Sequence, residues 1–296
     1  MIIGMAGRKQ SGKSTCCNFI HGHEMKLAGV IEEFNITDLG ELMVNCHYEQ
    51  DGKTIKDMGV LDLNQKNDIF FDYAANRIWP LVKGYSFAEP LKELCCSLFE
   101  LPYEACYGTD AQKNAKTNIN WKNVPGVLTK DKAIDILSKH EKHAYLCSIE
   151  DLQDSFGPSL LIKEAGLMTG REIMQYVGTN IFRRMYDKVW INATLNMIRT
   201  EQSPISLISD VRFCNEVDAI KDAGGKVIHL TRKVYQDSHA SENDLDNYQG
   251  FDLVIDNQNL SIKECNTILL DALVSWGVTK RIYVPVQGER FTSVKR

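Results

Sequence analysis

Ile2-Ile3-Gly4-Met5-Ala6-Gly7-Arg8-Lys9-Gln10-Ser11-Gly12-Lys13-Ser14-Thr15 decides the fold, because a compact apolar run passes directly into a glycine-rich turn. Such a run reads as a short buried strand from Ile2 to Ala6, and the residues from Lys13 to about Ile20 read as the helix after it. Gly7 to Ser14 matches G-x-x-x-x-G-K-[ST] at every defined position. Glycines let backbone N–H groups wrap phosphate oxygens, and a helix starting near Lys13 points its positive dipole end at them. In that arrangement Ser11 and Gly12 belong to the cradle, Lys13 reaches the β and γ phosphates, Ser14 gives a hydroxyl to Mg²⁺ and Thr15 donates to the α-phosphate. The expected ligand is ATP or GTP. The plainer alternative is a glycine-rich turn that holds nothing.

Further along, Tyr85 to Ala88 reads as a second strand, stopped by Pro90, which suits the first turn of a helix carrying Leu91, Leu94, Cys95 and Leu98 on one face. Strands are also predicted at Ile205 to Ser209, Val227 to Leu230 and Leu253 to Ile255. Helices are predicted at about 172–185, 187–200, 214–223 and 261–276. Strands alternating with helices imply a parallel sheet covered on both faces. Residues 35–84 read as an insertion with an Asp51-Gly52 hairpin signal and an aromatic cluster at Phe70-Phe71-Asp72-Tyr73. Residues 103–165 form a second irregular stretch. At 296 residues, one α/β domain with these insertions is expected rather than two independent ones.

Asp210 follows the strand at Ile205 immediately, and in an open α/β sheet the carboxyl ends of strands line the ligand crevice. A carboxylate there holds Mg²⁺ through water, and Arg212 offers a planar fork of donors to a phosphate. The alternative for Asp210 is an N-cap of the helix at Cys214. The base-reading [NT]-K-x-D of GTPases is missing, since Thr129-Lys130-Asp131-Lys132 lacks the final Asp, so a GTPase is disfavoured.

The net charge of -5 repels phosphodiester backbones, so a nucleic-acid partner is not expected. The N-terminal apolar run is too short for a signal peptide or a membrane span, so a membrane partner is not expected either. Nine cysteines occur as adjacent pairs or singly, without any Cys-x-x-Cys, which reads as reduced thiols in a cytoplasm.

Several segments together resemble the deoxynucleoside monophosphate kinases of tailed bacteriophages. They are Gly7 to Thr15, Phe87-Ala88-Glu89-Pro90-Leu91-Lys92, Arg171 to Thr179, Asp210-Val211-Arg212, Gly225 to Arg232, Asp237 to Glu242 and Asp252 to Asn257. Their order is that of the family. The resemblance implies a P-loop NTPase three-layer fold of the adenylate-kinase type, with a mainly parallel central sheet. It also implies transfer of a phosphoryl group from MgATP to a deoxynucleoside monophosphate. Matching positions imply an acceptor pocket of Lys9, Lys92, Arg171, Gln175, Gly178, Thr179, Trp190, Asp210 and Arg212, with Lys13, Arg171, Asp210 and Lys9 acting on the transferred charge. Each has a duller alternative: Arg171-Glu172 as a solvated helical turn, Trp190 as core, Gly178-Thr179 as a kink, His239 and Glu242 as a capping arrangement. Arg183-Arg184 supply lid-type cations or simply a solvated face. Rival readings are a kinase of phosphomevalonate or dephospho-coenzyme A, and an ATP-binding module without transferase activity. The aromatic cluster of the insertion is expected to make the contact of a homodimer.

Overall fold

In the computed structural model, the described residues are 1–50, 53–139, 148, 154, 160–232 and 244–282. The chain forms two compact units, Met1–Phe87 with Ile191–Arg296, and Ala88–Trp190.

The first unit is built on a five-stranded sheet. Strand β1 (Ile2–Gly7) runs into helix α1 (Lys13–Leu27). An antiparallel sheet of β2 (Phe34–Ile36), β3 (Leu42–Gln50) and β4 (Lys53–Val60) follows, then α2 (Asp68–Arg77) and β5 (Val82–Tyr85). Gln50 pairs with Lys53, so β3 and β4 form the expected hairpin, while Asp51-Gly52 lie outside the described residues. The insertion is shorter than 35–84, because β5 belongs to the central sheet. This strand also corrects the predicted Tyr85–Ala88: it ends at Tyr85, and Ala88 caps the next helix. The Gly84 in its middle and the loss of apolar alternation hid it from the sequence.

The second unit contains α3 (Glu89–Phe99), α4 (Tyr103–Tyr107), α5 (Asp110–Lys113), β6 (Lys116–Asn120), β7 (Val127–Thr129), α6 (Lys130–Lys139), β8 (Leu161–Lys163) and β9 (Leu167–Thr169). Helix α7 (Gly170–Gln175) continues as π-helical turns over Tyr176–Arg183. The predicted helix at 172–185 is therefore two conformations in series. Strands β6 and β9 pair antiparallel, β7 and β8 parallel, around a core of Cys95, Leu101, Cys106, Trp121, Met168, Ile173 and Val177. The described residues of the stretch read as irregular thus fall largely into short elements. Their brevity leaves no periodicity to detect.

Helix α8 (Val189–Glu201) leads back to β10 (Ile205–Val211), α9 (Cys214–Asp222), β11 (Lys226–Leu230), β12 (Leu253–Ile255) and α10 (Ile262–Ser275). The central sheet has the order β12-β11-β1-β10-β5, with every pairing parallel. Side chains alternate across it, as a strand's period of two requires. Ile3, Met5, Ile205, Leu207, Ile228 and Leu230 pack with Cys16, Ile20 and Met25 of α1, Phe70 and Ala74 of α2, and Leu269 and Leu273 of α10. Ala6, Ile208, Val211 and Val227 pack on the other face with Ile191 and Ile198 of α8 and Val217 and Ile220 of α9. Phe70 of the aromatic cluster therefore lies in the chain's own core, while Phe71 and Tyr73 remain more than a third exposed. Among the described residues no helix is long and apolar enough to cross a membrane.

Candidate functional site

Parallel pairing puts the carboxyl ends of β1, β10 and β11 at one edge of the sheet, and the glycine-rich loop leaves β1 there. Gly7 has φ +139°, and a Cβ on it would stand 2.6 Å from the Leu230 carbonyl oxygen and 2.7 Å from Ser11 Oγ. Only glycine fits that close approach. Gln10 and Gly12 also take positive φ, 60° and 104°. The loop thus bends back over the end of β1 before α1 begins. Gly12 occupies the N-cap of α1 without a side-chain cap, and no acidic residue stands in the first turn. The helix presents its dipole end undiminished, as an anion-binding start needs.

Lys13 is 8% exposed, and its Nζ donates to the carbonyl oxygens of Gly7 and Arg8, both at 2.6 Å. The ammonium is thereby folded over the loop. Ser14 is exposed, Thr15 and Gly12 are half-buried, and Ser11 is buried with a side-chain oxygen that has no hydrogen-bond partner among the described residues. Lys9 is exposed on the loop. The loop is tied down from far along the chain. Asn257 donates to the Ser11 carbonyl at 2.8 Å and accepts the Arg232 backbone N–H at 3.0 Å, while Arg232 Nη2 donates to the Gln10 carbonyl at 3.0 Å. Arg8 reaches Asp246 at 2.6 Å.

Asp210 sits where β10 breaks register. Gly4 pairs with Ile208 and Ala6 with Val211, so β10 carries one extra residue against β1, a bulge that re-aims its side chains. The carboxylate accepts Ser86 Oγ at 2.6 Å and the Phe87 N–H at 2.8 Å. Its role as N-cap of α9 is not what the structure shows: that helix starts after Phe213, and buried Glu216 accepts the N–H groups of Arg212 and Phe213. Arg212 is half-buried beside it. Burial pushes the Cys17 thiol up to about 12, with the Lys13 ammonium opposing and the Asp210 carboxylate adding.

The donor chemistry suits magnesium in one particular way. Among the described residues no three His, Cys, Asp or Glu side chains gather into a cage. A magnesium ion held mainly by phosphates and water needs only one or two hard oxygen ligands, and Ser14 Oγ with the Asp210 carboxylate are of that kind.

The remaining acceptor candidates lie in the second unit. Arg171 Nη2 donates to Asp110 at 2.6 Å, and its Nε is buried with no partner among the described residues. Thr169 caps α7 and Glu172 reciprocates, so Glu172 is a capping residue rather than part of a merely solvated turn. Gln175, the last residue of α7, and Thr179, on the π-helical segment, are exposed; Gly178 is buried, and a Cβ there would stand 2.6 Å from Leu91 Cδ2. Lys92, on α3, holds its ammonium 4.9 Å from the centre of the Tyr107 ring. Trp190 is 5% exposed, packs 5.3 Å from Phe182 and donates Nε1–H to the Gly178 carbonyl at 3.2 Å. In this structure it supports Gly178 rather than offering an open ring face. Arg183 is half-buried and Arg184 exposed. The segment Asp237 to Glu242 lies outside the described residues.

Asn257 and Arg232 end two of the segments that carry the resemblance but have no site role in the sequence reading, and Gly40 is absent from it. Asn257 had a signal, since it follows the carboxyl end of a parallel strand. Gly40 had none: its carbonyl accepts from Asn18 at 2.8 Å and its backbone packs against Thr15, a contact that only folding creates.

The family model for deoxynucleotide monophosphate kinase matches residues 80–267. That range contains α3, the π-helical segment, β10 and β11, and begins after the glycine-rich loop. A protein of Acanthamoeba polyphaga mimivirus named as a deoxynucleotide monophosphate kinase is 29% identical over 194 residues, which cover 60% of this chain and 76% of that protein. The deoxynucleoside-5'-monophosphate kinase of Escherichia phage T5 is 26% identical over 155 residues, 48% of this chain and 60% of that one. By the extent of the family match, over more than half its length, this chain belongs to the deoxynucleotide monophosphate kinase family.

Proposed function

We propose that the first unit is a P-loop kinase core of the adenylate-kinase type that binds MgATP at Gly7–Thr15. In this reading the chain transfers the γ-phosphoryl group to a deoxynucleoside 5'-monophosphate, giving a diphosphate and ADP. The observation that carries it is the uncapped start of α1 behind a positive-φ loop, with the Lys13 ammonium folded over that loop. Such a start offers several N–H donors and a cation to one anion.

Lys13 holds the β and γ oxygens of the donor, and Ser11, Gly12 and Thr15 orient its phosphates. Ser14 and Asp210 would hold the magnesium ion, which when bound neutralises charge on the donor phosphates. In the second unit Lys92, Arg171, Gln175, Gly178 and Thr179 are assigned to the acceptor, with Trp190 fixing Gly178; Lys9 and Arg212 of the first unit are assigned to phosphate charge. The bond from the γ phosphorus to the β–γ bridging oxygen breaks as an acceptor phosphate oxygen bonds to phosphorus. That oxygen is already ionised at neutral pH, so no general base is required. Catalysis then consists of positioning and charge neutralisation.

The test combines one variant with a panel of acceptors. Lys13→Ala is expected to lower turnover on the order of 10³-fold or more, as loss of a phosphate-stabilising cation does. Deoxynucleoside monophosphates should accelerate ADP release from ATP, whereas phosphomevalonate and dephospho-coenzyme A should not. ATP binding with no acceptor-dependent ADP would leave only the non-catalytic module, and near-normal turnover by Lys13→Ala would remove the loop from the mechanism.

A further inference from the structure

Beside the loop, within the first unit, lies a cavity of about 90 Å³ lined by Gly12 and Thr15, by Gly40, by Arg232 and Asn257, and by Asn266 on α10. It is far smaller than the roughly 300 Å³ or more of a site that swallows a whole ligand, and suits the edge of one ring. Two polar side chains of its lining are unusual. Asn266 is 6% exposed and its side-chain oxygen has no hydrogen-bond partner among the described residues; the same holds for Arg232 Nε. A buried acceptor left unmatched is costly unless a ligand supplies the donor. Asn266 is also out of place as a packing residue, because its buried neighbours on α10 are Cys265, Leu269 and Leu273.

We infer that Asn266 reads the base of the phosphate donor and selects adenine. This deepens the proposed function and rests on the loop being the site of the donor's phosphates. Gly12 and Thr15 belong to both the loop and the cavity wall, so a nucleotide with its phosphates on the loop has this cavity within reach. An unmatched carboxamide oxygen calls for a donor. At the six-position adenine presents an amino group and guanine a carbonyl oxygen, so the same acceptor bonds one and repels the other. Arg232, whose Nη2 is held by the Gln10 carbonyl, stands at the same wall and links the loop to the cavity.

Binding of ATP, GTP, ITP and inorganic tripolyphosphate to the full-length protein tests this. The wild type should prefer ATP over GTP and ITP. Asn266→Leu should weaken ATP about tenfold and erase the preference, with tripolyphosphate binding unchanged, because one hydrogen bond to the base is lost and no phosphate contact is touched. Asn266→Asp keeps an acceptor at that position and should keep the preference for ATP over the 6-oxo purines. An unchanged ATP-to-GTP ratio in Asn266→Leu, or a wild type that favours GTP, overturns the inference while leaving the phosphate site intact. Loss of tripolyphosphate binding in Asn266→Leu would show a structural role and also overturn it. A wild-type protein that binds none of the four probes removes the phosphate reading itself, and the inference with it.

Discussion

Asn257 shows how much one side chain can fix. Its amide group bridges the Ser11 carbonyl and the Arg232 N–H, and it is 6% exposed. Truncation leaves a buried acceptor and a buried donor unmatched, each a loss of about 1–3 kcal/mol. Asn257→Ala is therefore expected to lower the unfolding free energy by at least that amount in denaturant titrations and to weaken ATP binding. Asn257→Asp keeps the acceptor for Arg232 but sets a carboxylate against the Ser11 carbonyl, so it should recover only part of the loss. Wild-type stability and ATP affinity in Asn257→Ala would refute the clamp. Lys13, by contrast, was assigned from its neighbours in sequence alone, because loop and helix start are local features.

Among the elements, the π-helical segment Tyr176–Arg183 is the least expected. Widened helical turns are rare and concentrate at functional sites, and this one carries Gly178 and Thr179 of the implied acceptor set. No propensity announces it, so the sequence reads as one continuous helix. Gly178 is required by packing: a Cβ would press on Leu91 Cδ2 at 2.6 Å. Gly178→Val should destabilise the protein by about 1–3 kcal/mol, the usual cost of overpacking. Leu91→Ala in the same chain should recover part of that loss, giving a coupling energy measurable by a double-mutant cycle. Strict additivity of the two substitutions would show that the contact is not the cause. The Asp210 bulge belongs to the same scale, since one additional residue in β10 decides where that carboxylate points.

For the molecule as a whole, stability should depend on pH through His21. This imidazole lies buried on α1 beneath the sheet, bonded through Nδ1 to the Cys17 carbonyl at 2.9 Å, and burial lowers its pKa to about 4. The folded state refuses a proton that the unfolded chain accepts below about pH 6.5, so the unfolded state gains protons first as pH falls. The contribution is fully present above about pH 6.5 and drains away toward pH 4, by up to about 3 kcal/mol. His21→Gln should flatten that part of the pH dependence in denaturant unfolding measured from pH 7.5 to pH 4. An identical slope in the variant would assign the acid sensitivity to other groups.

Sequence alone determined the strand, loop and helix at the start of the chain, because fourteen consecutive residues, Ile2 to Thr15, hold the local signals that specify them. The later strands at Ile205, Val227 and Leu253 and the helices at 187–200, 214–223 and 261–276 were legible for the same reason: apolar runs and caps are local signals. Strand β5 and the small elements of the second unit were not, since their pairing is set by partners distant in sequence. Tertiary structure alone decided which residues surround the loop. Asn257 meets Ser11 across 246 positions and Arg232 meets Gln10 across 222, and Asn266 reaches the cavity only because α10 packs on the face that holds α1. Contacts of that span depend on the order of strands in the sheet, which the burial of both its faces selects and which no local run of residues encodes.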